Sequence, residues 1–486
     1  MKSKSLPIIL VLLSFLLLIF TACRLEGDIE RPLSFTVRFE SNGGAAVAPI
    51  TNISPGQTIS QPPDPYKQYF ELVDWYKDPG LTQVWDFGTD TVVSNITLYA
   101  EWEWDQNEGT GEDDDPFVVY DETTLRKVGR EAVATNAWDL TKHYKQITDI
   151  TLITGDWTPI GTYNTNPFTG SYDGNGNTIS GLTINVSVNG KGMFSYIAGD
   201  GMSSGVVRNL GLIGNSVIGV QFVGGFVGLN NGGKVQNCYV TGSVEGRYDV
   251  GGIVGENRGT VENCYVTGNL KGYDGIGGVV GYNNGGRLEN CYTISNVTGT
   301  FVRVGGLVGW SSGTIQNCYA TGSVEGFHYV GGIVGENGGT AENCYVTGSL
   351  KGYDGTGGVV GYNYGSIQNC VALSSDIRMI SNDISIIGRI VGEHTAGTLT
   401  NNYARSDMKL YYDTDTNYEG TTQKIVAVAS DLHNGVDGKG IGPAQYNNAS
   451  WWKNAANWDT SGWDFSTVWR MGSNGLPVLI GVGEGK

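Results

Sequence analysis

Seven cysteines are the first residues in this sequence whose type and spacing could serve chemistry. Six of them are separated by 26 or 27 residues, so they recur once in each unit of a repeated segment. Protein zinc sites are usually built from close Cys-x-x-Cys pairs or from clusters of cysteine and histidine, and neither pattern occurs here. We therefore predict no metal site and no cofactor, and we attribute the spacing to the repeat itself; the six residues are Cys238, Cys264, Cys291, Cys318, Cys344 and Cys370.

The four histidines, His143, His328, His394 and His433, offer no catalytic pattern either. None belongs to an H-E-x-x-H motif, in which two histidines on one helix face hold zinc and the glutamate acts as the base. No G-x-S-x-G turn stands between a predicted strand and a predicted helix, where a hydrolase would carry its serine. The sequence therefore lacks the signatures of a zinc peptidase and of a serine hydrolase.

Carboxylates in the repeats could cleave glycosides if two of them acted as a pair. Residues 242–285 and 322–365 are near-identical copies that share 36 of 44 residues, and Glu256 and Glu336 occupy the same place in them. Acids copied in turns are typical of a solvated surface, whereas an active site would break the repeat pattern. We interpret five acids as surface residues and predict no catalytic residue and no enzymatic activity; they are Glu256, Glu336, Asp249, Asp274 and Asp354.

Two acidic turns resemble calcium loops in composition, because they alternate the oxygen ligands that Ca²⁺ prefers. The first covers residues 413–420, but Tyr418 stands where an EF-hand loop needs glycine and no closing glutamate is in register. The second, with Asp173, Asn175 and Asn177, is similarly incomplete. We predict no calcium site.

The chain is acidic, with 30 Lys and Arg residues against 48 Asp and Glu residues and a net charge of −18. Binding to a phosphate backbone requires a cationic face, so nucleic acid is excluded as an expected partner. The 75 glycines occur beside abundant Val, Ile, Tyr and Thr. This combination favours many short strands joined by tight turns, which is an all-β fold.

The N-terminus predicts an address in the cell envelope. Lys2 and Lys4 precede an apolar run over residues 6–20, and small residues then stand directly before Cys23. The segment resembles a bacterial lipoprotein signal peptide, which implies cleavage after residue 22 and lipidation of Cys23. Residues 23–32 would then form a tether, and the chain would be lipid-anchored at the membrane and exposed at the surface. An uncleaved signal anchor is the alternative.

A first module is predicted over residues 33–104, where alternating strands begin with FTVRFE and end with ITLYAEW. The segments FTVRFESNGG, DWYKDP, VWDF and ITLYAEW resemble the internalin B-type repeat, also called the Listeria–Bacteroides repeat. The resemblance implies a small β-grasp-like domain of bacterial surface proteins. Residues 105–116 are acidic and have no apolar side chain, so they are predicted to be a flexible linker.

A second module covers residues 117–486. Residues 117–155 are predicted to cap a repeat array over residues 156–406, and residues 407–486 are predicted to form a C-terminal cap region. One unit is too short to bury a core alone but can stack on its neighbours, so the repeats predict a β-solenoid of about ten coils. The pattern G-G-[IVL]-V-G followed by x-G-x-[IV]-x-N-C-Y resembles the GLUG motif of bacterial surface proteins, which implies a right-handed β-helix.

Stacking assigns faces to the repeated residues. Alternation predicts inward cysteines and, one residue later, an outward stripe of stacked tyrosines. Only cysteines in neighbouring coils would lie close enough to form disulfides, so the six are either buried free thiols or up to three bridges. The tyrosines of the stripe are Tyr239, Tyr265, Tyr292, Tyr319 and Tyr345.

Each repeat contains a glycine pair, for example Gly251-Gly252 and Gly277-Gly278. The turns beside these glycine pairs carry further aromatic residues, which aligned coils would place in ridges. Exposed rings suit contact with protein or sugar, although stacking that only stabilises the coils is the alternative. The sequence predicts an adhesin or scaffold that binds a host-matrix protein or a glycan through this surface. A polysaccharide-binding or polysaccharide-cleaving β-helix is the alternative function, and a purely structural envelope role is a third. The candidate residues are Tyr248, Tyr273, Tyr282, Phe301, Trp310, Phe327, Tyr329, Tyr353, Tyr362 and Tyr364.

Overall fold

The computed structural model describes residues 34–67, 69–104, 109–132, 137–199, 205–380, 386–413, 423–426, 428, 431–458 and 462–483. The predicted signal peptide, the tether and Cys23 lie outside the described residues, and so does most of the candidate calcium loop at 413–420. The chain divides into two compact units, residues 1–108 and residues 109–486.

The first unit contains a mixed four-stranded sheet. Its first and last strands pair in parallel at the centre, and the other two strands pair antiparallel at the edges. Val37, Trp75 and Leu98 are fully buried and form its core with Trp85. Buried residues therefore lie on one face of the sheet, which packs on the core of this unit. The strands are Phe35–Glu40, Ile50–Ile53, Phe70–Tyr76 and Ile96–Trp104.

The second unit begins inside the predicted acidic linker. Residues 109–116 pack on the start of the array, where Lys142 Nζ lies 2.6 Å from Glu112 Oε1 and the backbone N–H of His143 donates to the carbonyl of Gly111. Strands in the predicted N-terminal cap already belong to the solenoid sheets. The solenoid therefore starts at Phe117, earlier than the repeats in the sequence indicate.

The second unit is a β-solenoid of about ten turns, as predicted, with three sheets whose strands pair in parallel apart from Gln423–Ile425, which pairs antiparallel with Lys409–Asp413. Equivalent residues of successive repeats pair in register, for example Val240 with Val266 and Val254 with Val280. An eight-stranded sheet contains Phe194–Ala198, Val227–Asn231, Val254–Asn257, Val280–Asn283, Val308–Ser311, Val334–Asn337, Val360–Asn363 and Val391–His394. An eleven-stranded sheet contains Phe117–Val119, His143–Gln146, Ser171–Asp173, Val206–Arg208, Lys234–Gln236, Thr260–Glu262, Arg287–Glu289, Thr314–Gln316, Thr340–Glu342, Ser366–Gln368 and Thr398–Thr400.

The third sheet, called the long sheet below, has 23 strands because each coil contributes more than one segment to it. Its last strands close the array: Tyr403 pairs with Lys439. The strands are Ile150–Thr151, Thr178–Ser180, Thr183–Asn185, Gly211–Ile218, Gln221–Gly224, Tyr239–Glu245, Tyr248–Gly251, Tyr265–Gly277, Tyr292–Thr293, Asn296–Gly305, Tyr319–Ala320, Val324–Glu325, His328–Gly331, Tyr345–Val346, Leu350–Gly352, Asp354–Gly357, Val371–Ala372, Asp376–Met379, Ile387–Gly388, Tyr403–Arg405, Lys409–Asp413, Gln423–Ile425 and Lys439–Ile441.

Few helices interrupt this architecture in the described residues. The helix Glu122–Lys127 begins at a capping box, in which the Asp121 side chain accepts from the Thr124 backbone N–H and the Thr124 hydroxyl accepts from the Asp121 N–H. The short helices Pro443–Tyr446 and Ala449–Trp452, the 3₁₀ turn Ala455–Asn457 and a hairpin of Trp469–Met471 and Pro477–Leu479 lie near the C-terminus.

The second glycine of each glycine pair lies where one coil packs directly on the next. A Cβ built on Gly252 or Gly278 would come closer than 3.0 Å to the carbonyl oxygen of the equivalent residue one coil further on, Gly278 or Gly306. No side chain larger than hydrogen fits between these backbones. The repeated glycine pairs are therefore a steric requirement of coil stacking.

Two ladders of asparagine define corners of the coil. The first, which includes Asn237 and Asn263, takes a left-handed backbone, with φ of 52° and 54°, and the side-chain amide of Asn263 donates to Asn237 Oδ1 at 3.1 Å. The second is buried: Asn257 is 0% exposed, its Oδ1 accepts from the side-chain amide of Asn230 at 2.8 Å, and its own amide donates to Asn283 Oδ1 at 2.9 Å. Asparagine tolerates this conformation and carries both donor and acceptor, so it can pair with its own copy.

The six repeat cysteines are free and buried in the core, which resolves the disulfide alternative. Each thiol donates to the carbonyl two residues before it, for example Cys264 Sγ to Glu262 O at 3.1 Å. Burial raises the pKa of Cys238, Cys291, Cys344 and Cys370 well above the ordinary value, because the interior disfavours the thiolate.

None of the six thiols should react in the folded protein, because every sulfur atom is covered and a reagent cannot reach it. In a Cys23→Ser chain, a thiol-specific disulfide reagent should label no cysteine under native conditions and all six after denaturation. Labelling should rise in parallel with loss of circular dichroism across a urea series. Rapid labelling of any repeat cysteine before unfolding would contradict the buried ladder.

The tyrosine ladder, Tyr239, Tyr265, Tyr292, Tyr319 and Tyr345, stacks as predicted but is not a solvent-facing stripe. Neighbouring ring centroids are 4.8 to 5.0 Å apart, with planes within 10°. Tyr292, Tyr319 and Tyr345 are only 9%, 8% and 1% exposed, because C-terminal residues cover them. The predicted outward stripe is therefore corrected to a buried interface.

The covering residues form the tryptophan cluster, which consists of Trp452, Trp458, Trp463 and Trp469. The Tyr345 hydroxyl donates to the Pro477 carbonyl oxygen at 2.7 Å, and the Trp463 indole donates to the Asn369 carbonyl oxygen at 3.1 Å. Most of the predicted C-terminal cap region thus packs on the flank of the coils. The sequence does not reveal this arrangement because tryptophans that follow one another after five or six residues carry no periodicity that points to a partner.

Candidate functional site

The predicted aromatic residues lie in two rows on the solenoid. The outer ridge contains Tyr248, Tyr273, Phe301, Phe327 and Tyr353. Tyr273 stacks on Phe301 at 4.8 Å and Phe327 stacks on Tyr353 at 4.4 Å between ring centroids. Tyr273 and Phe301 are 37% and 40% exposed. This ridge therefore presents apolar rings to solvent along the rod.

The inner row contains the other five predicted residues, Tyr282, Trp310, Tyr329, Tyr362 and Tyr364. Tyr282 stacks on Trp310 at 4.1 Å with nearly parallel rings, and Tyr329 stacks on Tyr362 at 4.7 Å. The Trp310 indole donates to the Tyr364 hydroxyl at 3.4 Å, and the Tyr364 ring centroid lies 5.8 Å from that of Tyr362, which connects the two pairs. The row is partly exposed.

A left-handed backbone position runs beside the inner row, one per coil. The residues at this position have φ between 52° and 73°. In-register pairing aligns Phe222, Asp249, Gly275, Arg303, Tyr329 and Gly355. Glycine adopts this conformation at the least cost. Four coils nevertheless carry large side chains here.

A groove opens between this position and the start of the inner row. Its six defining residues are Asp249, Glu256, Asp274, Tyr282, Arg303 and Trp310, and it encloses a cavity of about 330 Å³. The acids interpreted as scattered surface residues are therefore brought together in part: Asp249, Glu256 and Asp274 share the groove, whereas Glu336 and Asp354 lie outside it.

Two of the three groove carboxylates have guanidinium partners. Arg303 Nε lies 2.7 Å from Asp274 Oδ1, and its guanidinium lies 4.8 Å from the Trp310 ring. Glu256, which is 3% exposed, accepts from Arg258 Nε at 2.7 Å and from the Asn284 amide at 2.8 Å. These contacts hold two buried charges and orient the rings of the groove.

Asp249 is the third groove carboxylate and is not part of an ion pair among the described residues. Its Oδ2 accepts from the Gln221 amide at 3.0 Å. Burial raises its pKa to about 6, and the charges of Asp274 and Glu256 act in the same direction against the Gln221 hydrogen bond and Arg303. Asp249 is therefore partly protonated in mildly acidic solution.

Replacement of Asp249 by Asn should stabilise the protein at neutral and alkaline pH. Because the folded-state pKa exceeds the ordinary value of 3.8, the folded chain holds this proton more tightly between about pH 4 and pH 6, and stability falls as pH rises through that range. We expect Asp249→Asn to raise the free energy of unfolding by about 1 kcal/mol at pH 8 and to have little effect at pH 4, as measured by urea denaturation.

Asp464→Asn serves as a control of opposite sign. Hydrogen bonds from Ser466 and Thr467 lower the pKa of Asp464 to about 2, so its charge contributes stability above the ordinary pKa that is lost as pH falls toward 2. This variant should be destabilised at pH 8. An equal response of both variants would contradict the assignment of a raised pKa to Asp249.

The two near-identical copies differ mainly at this surface. Five of their eight differences fall on groove or ridge positions: 247, 248, 249, 258 and 284 in the first copy and 327, 328, 329, 338 and 364 in the second. Asp249 is thus replaced by Tyr329 in the second copy, and Arg258 by Gly338. This difference is the sequence signal for Arg258, a groove residue that motif analysis missed; Arg303, which was also missed, lies outside both copies.

Among the described residues, no group of three or more histidine, cysteine, aspartate or glutamate side chains is arranged to hold a metal ion. Of the described helices, none is long and apolar enough to cross a membrane.

The fold and its surface define a glycine-rich surface repeat protein built as a β-solenoid. Residues 35–101 match the Listeria-Bacteroides repeat domain. Residues 223–245, 246–271, 302–325 and 328–351 match the GLUG motif. The chain therefore contains one Listeria–Bacteroides repeat and four GLUG motifs, and both resemblances are confirmed.

The relatives include proteins described by their association with membranes. A Gly-rich membrane protein of Evansella cellulosilytica is 32% identical over 160 residues, which are 29% of this chain and 18% of that protein. A second membrane protein of the same organism is 44% identical over 69 residues, 14% of this chain and 10% of its own length. Halomucin of Haloquadratum walsbyi is 35% identical over 156 residues, 30% of this chain and 2% of halomucin. The chain thus covers a small part of each relative.

Proposed function

We propose that this protein is an adhesin or scaffold, anchored in a bacterial cell envelope by lipid on Cys23, and that its solenoid surface binds a protein or glycan. Catalysis is not part of the proposed function. The observation that carries it is the outer ridge, whose rings stack in pairs and are exposed at Tyr273 and Phe301 in two successive coils. Rigid exposed rings provide contact area at a small entropic cost, which is typical of binding surfaces.

The relatives support the location. Two of them are described as membrane proteins, and the N-terminal residues resemble a lipoprotein signal peptide. Metabolic labelling with a fatty-acid analogue should mark the wild-type chain in the membrane fraction, whereas Cys23→Ser should be unlabelled. Equal labelling of the two chains would exclude Cys23 as the lipid site.

A binding screen tests the function. The chain from residue 24 onward, which retains all described residues, is applied to immobilised matrix proteins and to neutral and acidic polysaccharides. We expect retention on at least one surface and at least a tenfold loss of affinity when Tyr273 and Phe301 are both replaced by Ala, since interface rings commonly contribute more than 1 kcal/mol. Lys351→Ala, an exposed change outside the ridge, is the control. No retention on any surface would contradict the proposal.

Polysaccharide cleavage is a second candidate because three carboxylates share the groove. The same screen monitors it if released reducing ends are recorded in each well. Product release that is lost in Glu256→Gln would replace binding by hydrolysis as the function.

A further inference from the structure

The groove differs from the outer ridge in its chemistry. Three carboxylates, from Asp249, Glu256 and Asp274, face two guanidinium groups, from Arg258 and Arg303, so the groove has one negative charge in excess. The carboxylate of Asp249 is the one outside these ion pairs. The whole chain is also acidic, with a net charge of −18. Local and overall charge therefore complement a cation.

Aromatic residues line the groove one coil before and one coil after the coil that carries Asp249 and Glu256. In-register pairing places Phe222 one coil before Asp249, and Tyr282 one coil after Glu256. The ring of Tyr163 stacks on that of Phe222 with 5.5 Å between centroids, and the ring of Trp310 stacks on that of Tyr282 with 4.1 Å. Each of the two groove rings, Phe222 and Tyr282, is therefore held in place by a stacking partner. A carboxylate and fixed aromatic rings that line one groove are a combination that holds ammonium and guanidinium groups.

The two copies provide an internal comparison. The second copy keeps Glu336 at the position of Glu256 but carries Tyr329 in place of Asp249 and Gly338 in place of Arg258. Tyr329 fills its place by stacking on Tyr362. The unpaired acid is thus present in one copy and replaced by a ring in the other, although the fold of the coil is the same.

We propose that the groove at Asp249 binds a lysine or arginine side chain presented by a protein partner. The inference rests on the proposed function and specifies its partner. A cavity of about 330 Å³ suits a single long side chain. The outer ridge beside it offers apolar rings for neighbouring residues of the same peptide, and Tyr, Trp and Arg, all present here, are the residues that most often dominate protein interfaces.

The test uses the chain from residue 24 onward and a fluorescein-labelled nonapeptide of three Gly-Lys-Gly units, with the Nε-acetylated peptide as the uncharged probe. We expect fluorescence anisotropy to detect binding of the lysine peptide but not of its acetylated form. Asp249→Asn should weaken binding at least tenfold at pH 7.5. We expect this loss without misfolding, because the variant should be more stable than wild type at that pH, and its urea midpoint checks that it is folded.

Glu336→Gln is the matched control, since it removes one charge from the equivalent region of the second copy. It should leave affinity within about twofold. Equal losses in both variants would mean that the peptide responds to total charge, which would overturn the proposal. Trp310→Phe keeps a ring beside Arg303 and should retain most of the affinity.

The pH profile is a second readout. Glu256, Asp274, Arg258 and Arg303 face Asp249 in the groove, and each of these two other carboxylates has a guanidinium partner. Affinity for the lysine peptide should therefore fall as pH drops below about 6 in the wild type and stay flat in Asp249→Asn.

The remaining outcomes separate the two proposals. Binding of a glucosamine oligomer through Asp249, without binding of the lysine peptide, would overturn the protein partner in favour of an amino sugar. If no cationic probe binds while the matrix screen shows retention through Tyr273 and Phe301, the groove inference fails and the adhesin proposal stands. If neither assay shows binding, both fail.

Discussion

Gly278→Ala should lose about 3–5 kcal/mol of stability, the largest effect expected of any small substitution in the solenoid. The new Cβ would meet the backbone carbonyl of Gly306 closer than 3.0 Å and would also press on the Thr293 side chain. The neighbouring coil is hydrogen-bonded on both sides, so it cannot move away without breaking the stack. The urea midpoint should drop, and hydrogen exchange should accelerate in the coils on either side of the substitution.

Gly285→Ala separates the steric effect from the backbone effect. Gly285 has a positive φ of 73°, but nothing lies within 4 Å of a Cβ built there. This variant should lose only about 1–2 kcal/mol, the cost of a left-handed backbone in a residue other than glycine. Equal losses in the two variants would mean that the glycine pairs are required for conformation and not for close packing.

Tyr345→Ala should detach the tryptophan cluster from the rod and lose about 3–5 kcal/mol. Tyr345 is 1% exposed, stacks on Tyr319 at 5.0 Å between ring centroids and has Trp452, Trp463 and Trp469 about its ring. Its removal leaves a cavity where both sides are rigid. Tryptophan emission should shift to longer wavelength, and the C-terminal residues should become sensitive to protease before the coils unfold.

Tyr345→Phe is the control for the hydrogen bond. It keeps the ring but removes the hydroxyl that donates to the Pro477 carbonyl. A loss of about 1–2 kcal/mol with unchanged tryptophan emission is expected. Tyr239 lies at the end of the ladder, outside the tryptophan cluster, so Tyr239→Ala should leave the emission unchanged. A spectral shift in that variant would contradict the flank assignment.

The repeats could be predicted from sequence because each coil repeats the same local requirement. Gly252 and Gly278 must be small, Cys264 and Cys291 must fill the same space, and Val240 and Val266 must face the same core. Because each requirement recurs once per coil, the spacing of the residues is enough to reveal it. The strands of the repeated coils can then be located in the sequence, because equivalent segments of successive coils pair in register.

The groove and the C-terminal flank could not be predicted in this way, because both arise from departures from the repeat. Asp249 and Arg303 occupy the position of Gly275 in neighbouring coils, where the left-handed backbone favours glycine. Their roles depend on neighbours one or two coils away. Trp463 meets Asn369 across 94 residues of chain. A residue that departs from the repeat has no equivalent elsewhere in the sequence with which it can be compared. The duplication provides an exception, because Tyr329 is the equivalent of Asp249 in the second copy.

The flank also restricts where this protein can change its length during evolution. Coils inserted before Tyr239 would push the N-terminal part of the rod outward and leave every contact of the tryptophan cluster intact. An insertion between Tyr292 and Tyr403 would instead move apart rings that contact the same cluster. Tyr345 contacts Trp452, and Tyr403 contacts Trp458. Natural length variants should therefore gain or lose coils on the N-terminal side of the flank.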